Sequence, residues 1–543
     1  MVSQTKVLLT ERIKFSGFIL ETTMAYDDVI TKLGNFGRYQ KRMYLLLCLP
    51  AVLCAFHDFS NTFLQAKPNH RCQLPTEFPN SSYDLPFEDL NASFPYDHAT
   101  NKYSSCSILI NGSEAPCNNY IYDHTVYKSS IVTEWNIVCG HAYLTALSDS
   151  MYMLGTLLGS FGFGVLSDKL GRRIIFFTAL VLIVIFGLLM GAAPNLWSYI
   201  IFRLIVGSAG SGIYSIAYVI AMEMVGPKSR IIVGVVYPMF FSSGYMLIAL
   251  FAYFIKEWRY LQISLSLPGV AFFCYWWSVS ASINLNTLKK EEAKQIIRAA
   301  ARENKVNILD DDLHTLLSSD LNKTNTTENS VTILGIFKYS KIIKIILVLM
   351  LNWMIISMTY FGLSWNTSSL GGNDYVNFAI CGAVEIPAYI FILLTLNRWG
   401  RKYVLSGCMV TSGLVLLLTL VVPTDFNWAT VTLAMIGKLF ITSSYDVMYV
   451  LSVEQFPTTV RNAGLGLGVV CANIGSIVAP IVNLTGSVWK PLPLTVFGIL
   501  SVIGGCASLT LSDTTNRTLP TTIADVVSME SPFKEEELEK LKA

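Results

Sequence analysis

The sequence predicts an all-α membrane protein. Its twelve transmembrane helices fall into two pseudo-symmetric bundles of six, with a large external loop between the first and second. Three observations predict this. Mean hydropathy is +0.49; 52% of the 543 residues are apolar and 14% charged, more apolar surface than one aqueous core can bury, so lipid must be part of the solvent. Two short stretches each occur twice: Gly164-Val-Leu-Ser-Asp168-Lys-Leu-Gly171-Arg172-Arg173 is answered by Leu396-Asn397-Arg398-Trp-Gly400-Arg401-Lys402, and Glu223-Met-Val-Gly-Pro227-Lys-Ser-Arg230 by Glu454-Gln-Phe-Pro457-Thr-Thr-Val-Arg461. Their offsets, 229 (Asp168 to Asn397) and 231 (Glu223 to Glu454), describe a unit of half the chain, duplicated. Finally, windows of the length a membrane helix needs, about 20 apolar residues, split six and six.

Residues 1–42 form a cytosolic N-terminus without a short apolar core and cleavage site, so no cleaved signal peptide is expected; Met24-Ala-Tyr-Asp-Asp reads like a second start. The first bundle, 43–283, has windows at 43–64, 142–166, 174–193, 197–222, 231–254 and 261–283. The second, 341–511, has them at 341–364, 375–396, 402–422, 428–453, 462–486 and 490–511. A polar segment, 284–340, lies between; its charged stretch from Leu288 reads as a helix on the inner membrane face, and 512–543 form a cytosolic tail. Orientation follows from the short loops. Those at 167–173, 226–230 and 397–402 carry Lys and Arg, while those near 194–196, 367–374 and 423–427 carry none. Basic loops stay in the cytosol.

That orientation puts 65–141 outside, where Cys72, Cys106, Cys117 and Cys139 are free to form disulfides in any of three pairings. Glycosylation triplets begin in the same loop at Asn80, Asn91 and Asn111. The net charge of +2, with no basic block, gives no reason to expect nucleic acid. No His-Glu-x-x-His or Cys-x-x-Cys spacing occurs, so neither metal nor cofactor is expected. Gly155, Gly159, Gly464, Gly466, Gly468 and Gly475 lie in apolar spans with no strand or phosphate-binding lysine. They read as close helix contacts, and nothing points to an enzyme.

The Gly-x-Leu-x-Asp-x-x-Gly-Arg-Arg stretch resembles the inner-loop signature of the major facilitator superfamily. Its acid ends one helix and its arginines open the next, so Asp168, Arg172 and Arg173 read as a gating latch; in the second copy Asn397 stands where the acid would be, beside Arg401. Glu223, Arg230, Glu454 and Arg461 likewise read as gate-facing ion pairs at the cytosolic helix ends. A narrower resemblance is carried by Val132-Thr-Glu-Trp-Asn-Ile-Val-Cys139, Tyr360-Phe-Gly-Leu-Ser, Glu385-Ile-Pro-Ala-Tyr389 and Thr518-Leu-Pro-Thr-Thr-Ile523. These are similar to the organic cation, organic anion and carnitine transporters, solute carrier family 22. The resemblance implies the major facilitator fold, a central polyspecific pocket and alternating access at the plasma membrane. One departure is that Ser278-Val-Ser-Ala-Ser-Ile283 stands where relatives carry Pro-Glu-Ser-Pro-Arg-Trp, so the charged inner-gate contact of that motif is missing.

The resemblance also bears on substrate. Twelve residues past Arg461, cation carriers of the family tend to have an aspartate and anion carriers an arginine; this chain has Asn473. Ionisable side chains in a span cost about 2.5–3.5 kcal/mol each, so those present are functional candidates. Glu385 and Asp446 fall within spans, Asp58 and Asp149 nearer outer ends; the bases Arg203 and Lys438 occupy matching places and read as bundle structure. The balance is acidic and suits a cation. Tyr214, Tyr218, Tyr237, Phe241, Trp353 and Tyr360 match cavity-lining positions of the family, and aromatic faces attract organic ammonium groups. The expectation is a small organic cation as substrate. A carrier of zwitterions such as carnitine- or β-alanine-like compounds is the alternative within transport, and a non-transporting membrane receptor the alternative outside it.

Overall fold

The computed structural model describes residues 33–34, 36–74, 77, 82–86, 90, 93–97, 102–110, 113–226, 229–275, 298–306, 340–423, 426–456 and 461–514. Asn80, Asn91 and Asn111 lie outside them, as do the stretches 278–283 and 518–523.

The first half comprises α1 (Arg38–Phe59), α2 (Tyr143–Leu170), α3 (Arg172–Gly191), α4 (Leu196–Glu223), α5 (Arg230–Phe254) and α6 (Trp258–Ser266). The second comprises α7 (Ser340–Trp365), α8 (Asp374–Ala383), α9 (Glu385–Trp399), α10 (Arg401–Leu418), α11 (Asn427–Gln455), α12 (Arg461–Leu484) and α13 (Leu492–Ser508). Nine helical segments among the described residues, from Arg38–Leu64 to Gly464–Ser487, are long and apolar enough to cross a membrane. Beyond these, α13 is shorter and α11 carries Lys438, Asp446 and the polar run Thr442-Ser443-Ser444. After α6, Pro268 opens a separate turn, Pro268–Ala271, so the window expected at 261–283 is interrupted rather than continuous.

Two kinds of local break redirect the chain. Pro387 lacks an N–H and its ring crowds the carbonyl four residues back, at Ala383. The helix accordingly stops there, and Glu385 opens the next segment. At the repeated basic loops the chain must turn between helices within one residue. Gly171 and Gly400 do so at φ of 93° and 84°, a backbone conformation that a Cβ would strain.

The duplication is written into the packing. In the first half Gly244 lets α5 approach the backbone oxygen of Val52 on α1; in the second, Gly475 lets α12 approach that of Met354 on α7. These glycines are 231 residues apart, the offset of Glu223 and Glu454. Small residues at such crossings let backbones meet, which is how helices associate where lipid removes the hydrophobic drive.

Outside the bundle, antiparallel strands pair β1 (His70–Cys72) with β6 (Tyr120–Tyr122), β2 (Tyr96–Asp97) with β3 (Lys102–Tyr103), and β4 (Ser107–Ile110) with β5 (Ser113–Pro116). Cys72 bonds Cys117 and Cys106 bonds Cys139, one of the three possible pairings. Arg71 grips both carboxylate oxygens of Glu77 at 2.7 and 2.8 Å, and this pairing holds the carboxyl below its ordinary range. Burial of His70 among these strands pushes its pKa down to about 4.

Of the linker, residues 298–304 are helical. Asn304 accepts from the Tyr39 amide at 2.9 Å and donates to Gln40 at 2.8 Å, and Glu303 meets Arg42 at 2.9 Å. The linker helix therefore caps the start of α1.

Candidate functional site

A cavity of about 560 Å³ lies between the halves, walled by α1, α2, α4 and α5 on one side and α7, α9, α11 and α12 on the other. At one end its lining includes Asp168, Arg172 and Glu223, beside the repeated basic loops. The other end, toward the disulfide-bonded loop, is where the halves meet. There Ser150 donates to the Ile477 carbonyl at 2.8 Å, Tyr245 to the Ser364 carbonyl at 3.1 Å, and Trp365 to the Asp58 carbonyl at 3.1 Å. Rings from both halves close over them. Phe63 stacks on Tyr375 at 5.3 Å and Tyr245 lies edge-on to Phe378 at 4.4 Å, while Phe59 stacks on Tyr245 from its own half at 4.1 Å.

Six of the expected substrate residues, Tyr214, Tyr218, Phe241, Tyr360, Asp446 and Asn473, are on the cavity wall. Three stand behind it. Tyr237 donates to the Tyr214 carbonyl at 3.1 Å and packs edge-on to Tyr214 and Tyr218. Trp353 is fully buried, donates to Ser452 at 3.0 Å and backs Tyr449 at 4.5 Å. Glu385, also fully buried, lies 3.1 Å from Lys438 and accepts from Tyr360 and Ser242, each at 2.6 Å. It is therefore neutralised at the seam between the halves, and the expectation that it faces substrate is corrected: a buried carboxylate keeps its charge only with such partners.

The second base is used alike. Arg203 is fully buried, meets Asp149 at 3.4 Å and lies 4.5 Å over the ring of Tyr152. Each buried base thus has its own acid. Away from the basic loops, two acids on the wall remain among the described residues. Asp58 accepts from the Tyr152 hydroxyl. Asp446 makes no hydrogen bond or ion pair among the described residues. Asn473 is engaged, its oxygen accepting from Thr156 of the other half at 2.9 Å and its nitrogen donating to Val469 at 2.8 Å. Tyr389, Thr442, Tyr445 and Tyr449 also line the cavity and are not among the expected site residues. Tyr389 closes the motif Glu385-Ile-Pro-Ala-Tyr389; for the others the signal is spacing, since Thr442, Asp446 and Tyr445, Tyr449 fall a helical turn apart, which puts each pair on one face.

Near the basic loops Arg172 pairs with Glu223, and in the second half Arg401 pairs with Glu454 at 3.2 Å. Glu454 also accepts from Thr514 at 2.6 Å. Each glutamate, at the end of one helix, therefore reaches the first residue of the helix before it. Arg230 begins α5 and Asp168 and Arg173 flank the loop turn; the side chains of Asn397 and Arg461 lie outside the described residues.

An apolar helical bundle in two repeats, enclosing a polar, aromatic cavity at its centre, defines a membrane transporter. The family model described as Major Facilitator Superfamily matches residues 141–480. The "Organic cation transporter protein" of Drosophila melanogaster is 49% identical over 518 residues, covering 92% of this chain and 94% of that protein. "Solute carrier family 22 member 4" of Mus musculus is 33% identical, covering 91% and 93%. Among solved structures, the inward open conformation of the xylose transporter XylE from E. coli superposes with a TM-score of 0.60 at 14% identity, covering 88% of this chain and 98% of that one, a likeness of fold alone. The chain belongs to the major facilitator superfamily and, within it, to solute carrier family 22.

Proposed function

We propose that this protein is a polyspecific organic cation transporter of the plasma membrane, working by alternating access and driven by membrane potential. The observation that carries the reading is Asp446, an acid without a partner among the described residues in a cavity walled by Tyr214, Tyr218, Phe241, Tyr360, Tyr445 and Tyr449. An ammonium group would find there a counter-charge and several aromatic faces, each worth roughly 0.5–2 kcal/mol and undemanding of substrate shape. The name of the Drosophila melanogaster relative, "Organic cation transporter protein", supports the same class.

In this reading twelve segments span the membrane, the nine apolar ones joined by α6 with its following turns, α11 and α13. The basic loops, both termini and the 284–340 linker face the cytosol, and the disulfide-bonded loop lies outside with Asn80, Asn91 and Asn111 as glycan acceptors. The cavity then opens inward. The Arg172–Glu223 and Arg401–Glu454 pairs, with Asp168, Arg173 and Arg230, and with Asn397 and Arg461, belong to the inner gate that closes it in the opposite state.

The test is uptake of a radiolabelled monovalent cation, with and without potassium depolarisation. An inside-negative potential is worth about 2.3 kcal/mol per 100 mV per charge, so ~60 mV supports roughly tenfold accumulation. Depolarisation is expected to lower uptake of the cation and to spare a neutral analogue. Asp446→Asn is expected to raise the half-saturating concentration by about 30-fold, the ~2 kcal/mol lower bound for removing one partner of a desolvated charge pair. Cation uptake indifferent to both would sink the reading.

A further inference from the structure

Among the described residues, four acids and two bases lie in the interior of the bundle away from the basic loops, and their pairing leaves a remainder. Arg203 is taken by Asp149 and Lys438 by Glu385. Among the described residues, Asp58 and Asp446 face the cavity without a base of their own. Asp58 comes from α1 of the first half and Asp446 from α11 of the second. Asp58 lies one residue from the end of α1, at the closed end, where its carbonyl receives Trp365. Asp446 lies in the part of α11 that leads toward Glu454 and the basic-loop end. The two therefore sit at different depths on opposite walls. A third group points to a ligand. Thr442, one turn before Asp446, lines the same cavity, is 2% exposed, and its hydroxyl has no hydrogen-bond partner among the described residues. A buried hydroxyl left without a partner is costly, and a ligand donor or acceptor beside Asp446 would satisfy it.

We propose that the preferred substrates carry two positive groups on an extended apolar spacer, as an α,ω-diamine does, with one ammonium read by Asp446 and Thr442 and the other by Asp58. This rests on the cation-carrier reading and narrows it. One ammonium neutralises one of the two acids and leaves the other desolvated behind it; a second ammonium at the right spacing removes that penalty. The spacer lies against the tyrosine faces between, which contribute apolar contact without fixing its conformation. Because the acids are held on different helices, their separation selects a length. A longer or shorter diamine reaches only one of them.

The experiment uses the full-length carrier in cells, with tetraethylammonium as tracer. Its uptake is inhibited by α,ω-diaminoalkanes of increasing length and by n-alkylamines of the same carbon number. The expected result is a diamine optimum at one intermediate length, at least tenfold more potent than the matched monoamine. Asp58→Asn is expected to reduce that advantage to less than twofold, and Asp58→Glu to retain it with the optimum moved to a shorter spacer. Monoamines equal to diamines at every length in the unsubstituted carrier overturn the proposal, as does an undiminished diamine advantage in Asp58→Asn. Should Asp58→Asn not reach the cell surface, the length series and Asp58→Glu decide. Tracer uptake without any diamine advantage removes this inference alone, whereas absence of uptake of any cation removes the cation-carrier reading beneath it.

Discussion

Lys438 is closed in by Glu385 at 3.1 Å, Ser364 at 2.6 Å and the ring of Tyr360 at 3.2 Å from its centroid. Lys438→Met leaves the Glu385 carboxylate buried beside Tyr360 and Ser242 with no counter-charge. A broken buried pair costs about 3–5 kcal/mol, so surface expression and the melting temperature of the solubilised protein should fall sharply. Adding Glu385→Gln should recover most of the loss, because the pair as a whole is worth far less than its breakage; a double variant no more stable than the single one would count against this assignment. The same neighbourhood marks the limit of what the sequence carries. Residue type, place in a span and family resemblance pick out the wall residues Asp446, Asn473, Tyr214, Tyr218, Phe241 and Tyr360. They pick out Tyr237, Trp353 and Glu385 equally well. A helix apolar on nearly every side has no polar stripe to reveal its rotation, so which face looks into the cavity is set by packing. Here Gly468 settles it for Trp353, by letting the indole lie against α12.

At the scale of elements, the informative pairs are Arg172–Glu223 and Arg401–Glu454, each tying the start of one helix to the end of the next. The residues themselves are visible in the repeated motifs; which of them meet is not, because the αα-hairpins of α3–α4 and α10–α11 bring residues distant in sequence together. The helices are legible to within a few residues from apolar length, whereas the break before Glu385 falls inside the single window 375–396 and emerges only in the fold, at Pro387. Glu223→Gln and Glu454→Gln are each expected to change turnover about fivefold, the ~1 kcal/mol of a partly exposed pair, with little change in half-saturation. Exchanging the charges, Arg172→Glu with Glu223→Arg, should restore turnover at least in part. Unchanged turnover in both single variants would make these pairs fixed struts with no part in the transport cycle.

For the whole molecule, the cavity is sealed at the disulfide-loop end by side chains of both halves. Phe63 just past α1, Tyr245 from α5, and Tyr375 and Phe378 from α8 each lie 4.4 to 5.3 Å from a ring across the seam. Among the described residues a few hydrogen bonds accompany them, including Tyr127 to Asp374 at 2.9 Å, which ties the disulfide-bonded loop of the first half to the second. Any transition that opens this end must wet those rings. Exposing apolar surface raises heat capacity by about 0.45 cal/K/mol per Å², so several hundred Å² gives the opening step roughly 0.2–0.4 kcal/mol/K. The apparent activation enthalpy of uptake should then climb by about 4–8 kcal/mol over 20 degrees, bending the Eyring plot more steeply on the warm side. Replacing Phe63 and Phe378 with Leu should straighten it. A line already straight in the unsubstituted carrier would mean that turnover is limited by a step in which this aromatic lid stays shut, and the carrier's sensitivity to temperature would then be that of its inner gate.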